Sequence, residues 1–113
     1  MMRPSRTDIT RHYANVADKP FFPRLNDLMT SAPVVAMCWQ GRDVVSQARK
    51  ILGQTCPKDS EPGSIRGDHA IDGVSNLVHG SDSVVAAEQE LAMWFEPHEI
   101  HDWKLANADW IYE

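Results

Sequence analysis

Long apolar runs are missing from this chain: no stretch approaches the roughly 18 consecutive apolar residues that a membrane-spanning helix needs. The start, Met1-Met2-Arg3-Pro4-Ser5-Arg6, also lacks the apolar centre of a signal peptide. Cysteine is scarce. Only Cys38, in an apolar run, and Cys56, in a loop region, are present, with no CxxC pair, so two free thiols in a reducing compartment are expected rather than a disulfide. These readings lead to the expectation of a soluble, cytoplasmic protein with no membrane partner. An excess of positive charge is absent as well. With 11 basic against 16 acidic residues the formal net charge is −5, which argues against a broad nucleic-acid-binding face and leaves room for a local basic pocket. There is no internal repeat, low-complexity tract or linker, so residues 1–113 read as a single domain. A chain of this size buries only about two-thirds of its unfolded surface, which makes its stability easy to lose.

What is present falls into a helix-rich order. Ser5 with Asp8 three residues later resembles a weak capping box and opens a helix over about Thr7 to Val16, which stops before Lys19-Pro20. Phe21, Leu25, Leu28 and Met29 repeat at helical spacing, and Ser31-Ala32-Pro33 ends that run. Val34 to Trp39 is a compact apolar stretch between Pro33 and Gly41, which predicts a central strand buried on both faces. Arg42 to Leu52 carries Val44, Val45, Ala48, Ile51 and Leu52 on one face and ends at Gly53. Gln54 to Gly67 reads as a long loop, and loops longer than a fold needs are often functional. A second strand is expected within Ile71 to His79, centred on Leu77-Val78, followed by an amphipathic helix from Ser83 to Phe95. The tail after Pro97 reads mostly as loop. Two strands are too few for an independently stable sheet.

The segment Asn76-Leu77-Val78-His79-Gly80-Ser81-Asp82-Ser83 carries the chemistry. It sets one histidine where an apolar run ends and a Ser/Asp-rich helix start begins. Unpaired backbone N–H groups and the positive end of the helix dipole favour an anion there, and a neutral imidazole can approach that anion as nucleophile. Gly80 permits close approach. Glu90 sits beside the apolar stripe of the following helix rather than opposite it, and Arg49 lies at the flank of the preceding helix face. His98-Glu99-Ile100-His101 is one residue short of a zinc-binding His-Glu-x-x-His and reads as a surface turn.

Together with Pro57 to Gly63, Ser64-Ile65-Arg66-Gly67-Asp68 and Trp110-Ile111-Tyr112-Glu113, these residues resemble the nucleoside diphosphate kinases, from about Thr10 to Glu113. The resemblance implies an α+β, ferredoxin-like βαββαβ fold. It further implies a partial domain, with the first strand, the first helix and most of the second strand missing. With them goes a Lys-Pro-Asp-Gly lysine that no residue here matches. The implied reaction is ping-pong transfer of a γ-phosphoryl group from a nucleoside triphosphate to a nucleoside diphosphate through a phosphohistidine at His79.

By the same resemblance Glu90 orients the other ring nitrogen of His79, and Ser81 joins that network. Arg49 and Arg66 match phosphate-binding arginines, Thr55 the hydroxyl on the β-phosphate, and Asn76 the amide that reaches sugar and phosphate. Phe21 and Leu25 match the apolar clamp on the base, which stacks without reading base edges. Tyr13 matches a tyrosine near the histidine. Mg²⁺ is implied as an ion bound through nucleotide phosphates, with no dedicated protein ligand. A homo-oligomer, or a hetero-oligomer with full-length family members, is implied as well. Val74-Ser75 replaces the usual Gly-Arg before Asn76, and His69 replaces an aromatic. Two other readings stay open: a catalytically weak or inactive interaction subunit, and a fragment or pseudogene product with no stable fold.

Overall fold

The computed structural model describes residues 1–112, so Glu113, the end of the Trp110 to Glu113 match, lies outside the described residues. The helices follow from their caps. Ser5 Oγ accepts the Asp8 N–H at 3.1 Å while Asp8 accepts the Ser5 N–H at 2.8 Å, and this reciprocal pair opens α1, Arg6–His12. Tyr13 (φ −103°, ψ 31°) leaves the α-helical path, so the chain continues as a 3₁₀ turn over Ala14–Val16 instead of the single helix expected to Val16. α2, Phe22–Ser31, has Pro23 in its first turn, where a missing N–H costs nothing, and stops before Pro33.

The best-packed part of the molecule is the α1/α2 pair. Ile9 is fully buried and Phe22 nearly so. Between the helices Asn26 Nδ2 donates to the Arg6 carbonyl and to Thr10 Oγ1, each at 3.3 Å, and an Arg6–Asp27 ion pair closes the exposed edge.

The expected sheet does not form among the described residues. Val34 makes one isolated antiparallel bridge to Met2, with N···O distances of 2.9 and 2.7 Å, and residues 35–40 have no regular structure. Val35, Met37 and Trp39 are 65, 62 and 69 % exposed, so the segment expected to be buried on both faces is instead open. The physical reason is that a strand satisfies its backbone only through neighbours, and no neighbouring ladder covers this one. The strand expected within Ile71 to His79 is absent too. Asp72 Oδ1 accepts the N–H groups of Val74 and Ser75, folding the chain into a turn, and Leu77 has φ 74°, a left-handed conformation incompatible with a strand.

α3, Val44–Leu52, begins after Asp43 (φ 50°), two residues later than Arg42, and ends at Gly53 (φ 87°), where a side chain would be strained. The expected loop from Gln54 to Gly67 holds a 3₁₀ turn over Pro57–Asp59 and, beyond it, α4, Ile65–His69, whose N-cap Ser64 accepts the Gly67 N–H at 3.1 Å. Ser83 caps α5, Val84–Trp94, by accepting the Ala86 N–H at 3.1 Å. The tail carries a 3₁₀ turn at Pro97–Glu99 and a one-turn α6, Ala108–Ile111. His98, Glu99 and His101 are exposed, as a surface turn should be. No helix among the described residues is long and apolar enough to cross a membrane.

Candidate active site

α5 delivers a carboxylate to the histidine that precedes it. Starting the helix at Ser83 places Glu90 on the turn facing back toward His79, and Glu90 Oε2 meets His79 Nε2 at 2.9 Å. The same oxygen accepts the Ser81 hydroxyl at 2.6 Å. A carboxylate only accepts hydrogen bonds, so the proton of the neutral imidazole sits on Nε2 and the lone pair on Nδ1. His79 Nδ1 makes no hydrogen bond among the described residues, and the side chain is 36 % exposed. Burial would raise the Glu90 pKa. The hydrogen bonds from Ser81 and His79, with the charge of His79 and of His12, outweigh it, and the net direction is below the ordinary carboxylate value.

Two further rings close on His79, and a third backs one of them. The His12 ring, at the end of α1, stands edge-on to it with centroids 4.4 Å apart, and Tyr13 lies at 5.8 Å, also edge-on. Trp94, on α5, donates its indole N–H to His12 Nδ1 at 2.9 Å. Burial lowers the His12 pKa, and the neighbouring His79 lowers it further against an opposing Glu90. Burial raises that of Tyr13, with Glu90 adding in the same direction. His12 and Trp94 were not singled out from the sequence. The available signal was spacing: Trp94 is one helical turn beyond Glu90, so a face that brings one to His79 brings the other nearby.

The arginines anchor the chain on either side of the histidine. Arg49 Nη1 donates to the Gly80 carbonyl at 3.1 Å. Arg66, only 6 % exposed, donates through Nε to Asn76 O at 3.2 Å, through Nη1 to Gly53 O at 3.0 Å and through Nη2 to Val78 O at 2.6 Å. These bonds join the end of α3 to the residue before His79. Guanidinium has five N–H groups, so among the described residues two of those on Arg66 are left for another acceptor. Asn76 Nδ2 donates to Thr55 O at 2.9 Å and to Gly73 O at 3.1 Å, which seats Asn76 against the residue expected at the β-phosphate. Gly80 lies against Leu52: a Cβ there would come within 2.3 Å of Leu52 Cδ1. The left-handed Leu77, two residues before His79, stores about 1 to 3 kcal/mol of strain.

The structure therefore gathers His79, Glu90, Ser81 and Tyr13 in one cluster and ties Arg49, Arg66, Asn76, Thr55 and Gly80 to the chain around it. Phe21 and Leu25 lie at the start of α2, and the hydrogen bonds and ring contacts of the cluster do not reach them. Phe21 is 44 % exposed while the adjacent Phe22 takes the core position. A concavity of about 310 Å³ is lined by Trp39, Arg42, Val44, Ile51 and Tyr112 among others. It holds none of the His79 cluster and no acid–base pair, so the chemistry favours His79 over that hollow.

A family model described as nucleoside diphosphate kinase matches residues 1–100. Among curated proteins, a nucleoside diphosphate kinase of Aspergillus fumigatus is 51 % identical over 113 residues, all of this chain and 74 % of its own length. Human nucleoside diphosphate kinase B is 49 % identical over 112 residues, 99 % of this chain and 74 % of that protein. Among solved structures, a halophilic nucleoside diphosphate kinase from Halobacterium salinarum in complex with CDP superposes with a TM-score of 0.95 at 43 % identity, covering 99 % of this chain and 75 % of that one. A nucleoside diphosphate kinase family protein from Babesia bovis gives 0.92 at 36 % identity, over 98 % of this chain and 75 % of its own.

Proposed function

Because the chain belongs to the nucleoside diphosphate kinase family, we propose that it transfers the γ-phosphoryl group of a nucleoside triphosphate to a nucleoside diphosphate through His79. The observation that carries this reading is the pairing of His79 Nε2 with Glu90, which leaves the Nδ1 lone pair free on a partly exposed ring. In the first half-reaction Nδ1 attacks the γ-phosphorus, a P–N bond forms, and the bond to the bridging oxygen breaks as the diphosphate leaves. A second diphosphate then attacks the same phosphorus through a terminal β-phosphate oxygen, and the P–N bond breaks. Glu90 stabilises the positive charge that develops on the imidazole, and Ser81 fixes the carboxylate in place.

In this reading the free N–H groups of Arg49 and Arg66 meet the transferring phosphoryl and Thr55 the β-phosphate, with Tyr13 and Gly80 shaping the pocket, and Asn76 reaches sugar and phosphate by exchanging the bonds its Nδ2 makes to the Thr55 and Gly73 carbonyls. Phe21 and Leu25 clamp the base, a role the exposure of Phe21 supports. Mg²⁺ enters as part of the substrate, held by phosphate oxygens. The nitrogen-rich group His12, His79 and Glu90 is poorly suited to that hard ion. Two unpaired cysteines support a cytoplasmic setting.

The fold reading is a partial ferredoxin-like domain, since a quarter of the Halobacterium salinarum chain has no counterpart in these residues. The exposure of Val35, Met37 and Trp39 also favours a second reading, a subunit of low activity that joins other family members through this open edge. The test is incubation with Mg²⁺ and γ-labelled ATP. An acid-labile, base-stable label on the chain, absent from His79→Ala, is expected; equal labelling of both proteins sinks the assignment.

A further inference from the structure

His12 has no part in the transfer just described, yet it faces the nucleophile. One nitrogen of His12, one nitrogen of His79 and one carboxylate oxygen of Glu90 all lie within 4.8 Å of one another. We propose that these three side chains form an inhibitory site for a borderline transition-metal ion of the Zn²⁺ class. Two imidazoles and one carboxylate, with a fourth position left open, is a donor set suited to zinc, which takes such ligands at about 2.0 to 2.2 Å. Donors around a tetrahedral ion at those distances sit roughly 3.4 Å apart. Small rotations of the partly exposed His79 and Glu90 side chains, now 2.9 Å from each other, produce that spacing. Ser81, bonded to Glu90 Oε2 at 2.6 Å, already orients the carboxylate from outside, as supporting partners of metal ligands do. The same donor set disfavours Mg²⁺, so the magnesium that accompanies nucleotides does not compete.

Trp94 sets how tightly this site closes. Its indole is a donor only, and it occupies His12 Nδ1 at 2.9 Å, which leaves the neutral His12 proton on Nε2. Coordination through Nδ1 displaces the indole. Coordination through Nε2 moves the proton to Nδ1, where it confronts the indole N–H. By either nitrogen the metal must break the Trp94 bond, so Trp94 weakens metal binding. A bound ion also ties up the imidazole that accepts phosphate, so metal binding and phosphorylation of His79 exclude each other; only this last consequence rests on the kinase reading.

The test is titration of the whole chain with Zn²⁺ against a chromophoric chelator, without nucleotide, near neutral pH and with excess Mg²⁺ present. One equivalent is expected to bind. His12→Phe and Glu90→Gln should each lower that affinity at least roughly tenfold, and Trp94→Phe should raise it by roughly tenfold, the worth of one lost hydrogen bond. Should His12→Phe lose its helical circular dichroism, Glu90→Gln and Trp94→Phe decide the matter. Affinity unchanged in the folded variants, or weakened in Trp94→Phe, overturns the site. Zinc binding of the expected pattern in a chain that ATP never labels would sink the kinase reading alone. Labelling that Zn²⁺ does not block would sink the inhibitory site alone.

Discussion

Replacing Glu90 by glutamine removes one charge and almost no volume, and so isolates what the carboxylate does. In the native chain the carboxylate accepts from His79 Nε2 at 2.9 Å and from Ser81 at 2.6 Å, with its side chain about one-fifth exposed. The amide retains one acceptor oxygen, but it adds an N–H₂ that can face Nε2 and favour the tautomer with its proton on Nδ1, the wrong nitrogen for attack. It also leaves the imidazole charge of the transition state without a counter-charge. A hydrogen bond to a charged group contributes about 1.5 to 3 kcal/mol. Losing about 2 kcal/mol from the transition state alone slows phosphorylation of His79 roughly 30-fold. Arg49 and Arg66, proposed above to meet the phosphates, are untouched, so nucleotide affinity should stay within about twofold. Single-turnover labelling by rapid quench gives the rate, and quenching of tryptophan fluorescence by nucleotide gives the affinity. A collapse of affinity with an unchanged chemical step would refute the reasoning and make Glu90 a binding or structural residue.

Arg66→Ala leaves the carbonyls of Gly53, Asn76 and Val78 without their donor, and the urea midpoint should fall by the equivalent of about 3 kcal/mol; no change would show that water replaces the guanidinium. Gly80→Ala drives a methyl against the mobile end of Leu52, so a loss of about 1 kcal/mol is expected, and the double variant with Leu52→Ala should recover part of it if that contact is the cause. His12 has its pKa lowered on folding, chiefly by burial, so the unfolded chain binds the extra proton. Stability should be full above about pH 6.5 and fall as the pH drops from there toward the folded value. Urea midpoints measured from pH 7.5 downward should show that slope, and His12→Phe should flatten it.

The helices were legible in the sequence because their signals are local: Ser5 with Asp8, Ser83 before an apolar stripe, and Gly53 after one. Their ends were less so, because the left-handed Asp43 and the bent Tyr13 are set by surroundings rather than by residue type. The strands failed for a different reason. An apolar run such as Val34 to Trp39 states a preference, but a strand exists only with a partner, and here the described residues supply a single bridge. Within the site, the closeness of Glu90 and Ser81 to His79 was foreseeable, since Ser81 is two residues on and Glu90 lies about two turns into the helix that follows. Arg66 was expected as a phosphate ligand, and its three bonds to main-chain carbonyls could not be read from a loop. His12 was invisible because its contact with Trp94 joins residues 82 positions apart.

The central claim is that His79 acts through Nδ1 because Glu90 holds the proton on Nε2. Isotope-edited NMR of the chain labelled at its histidine nitrogens, recorded after brief reaction with ATP and Mg²⁺, reads which nitrogen bonds phosphorus. The account predicts phosphorus coupling at Nδ1 of His79, with Nε2 still protonated and facing Glu90. Phosphate on Nε2, or on any other residue while His79 stays free, would contradict it.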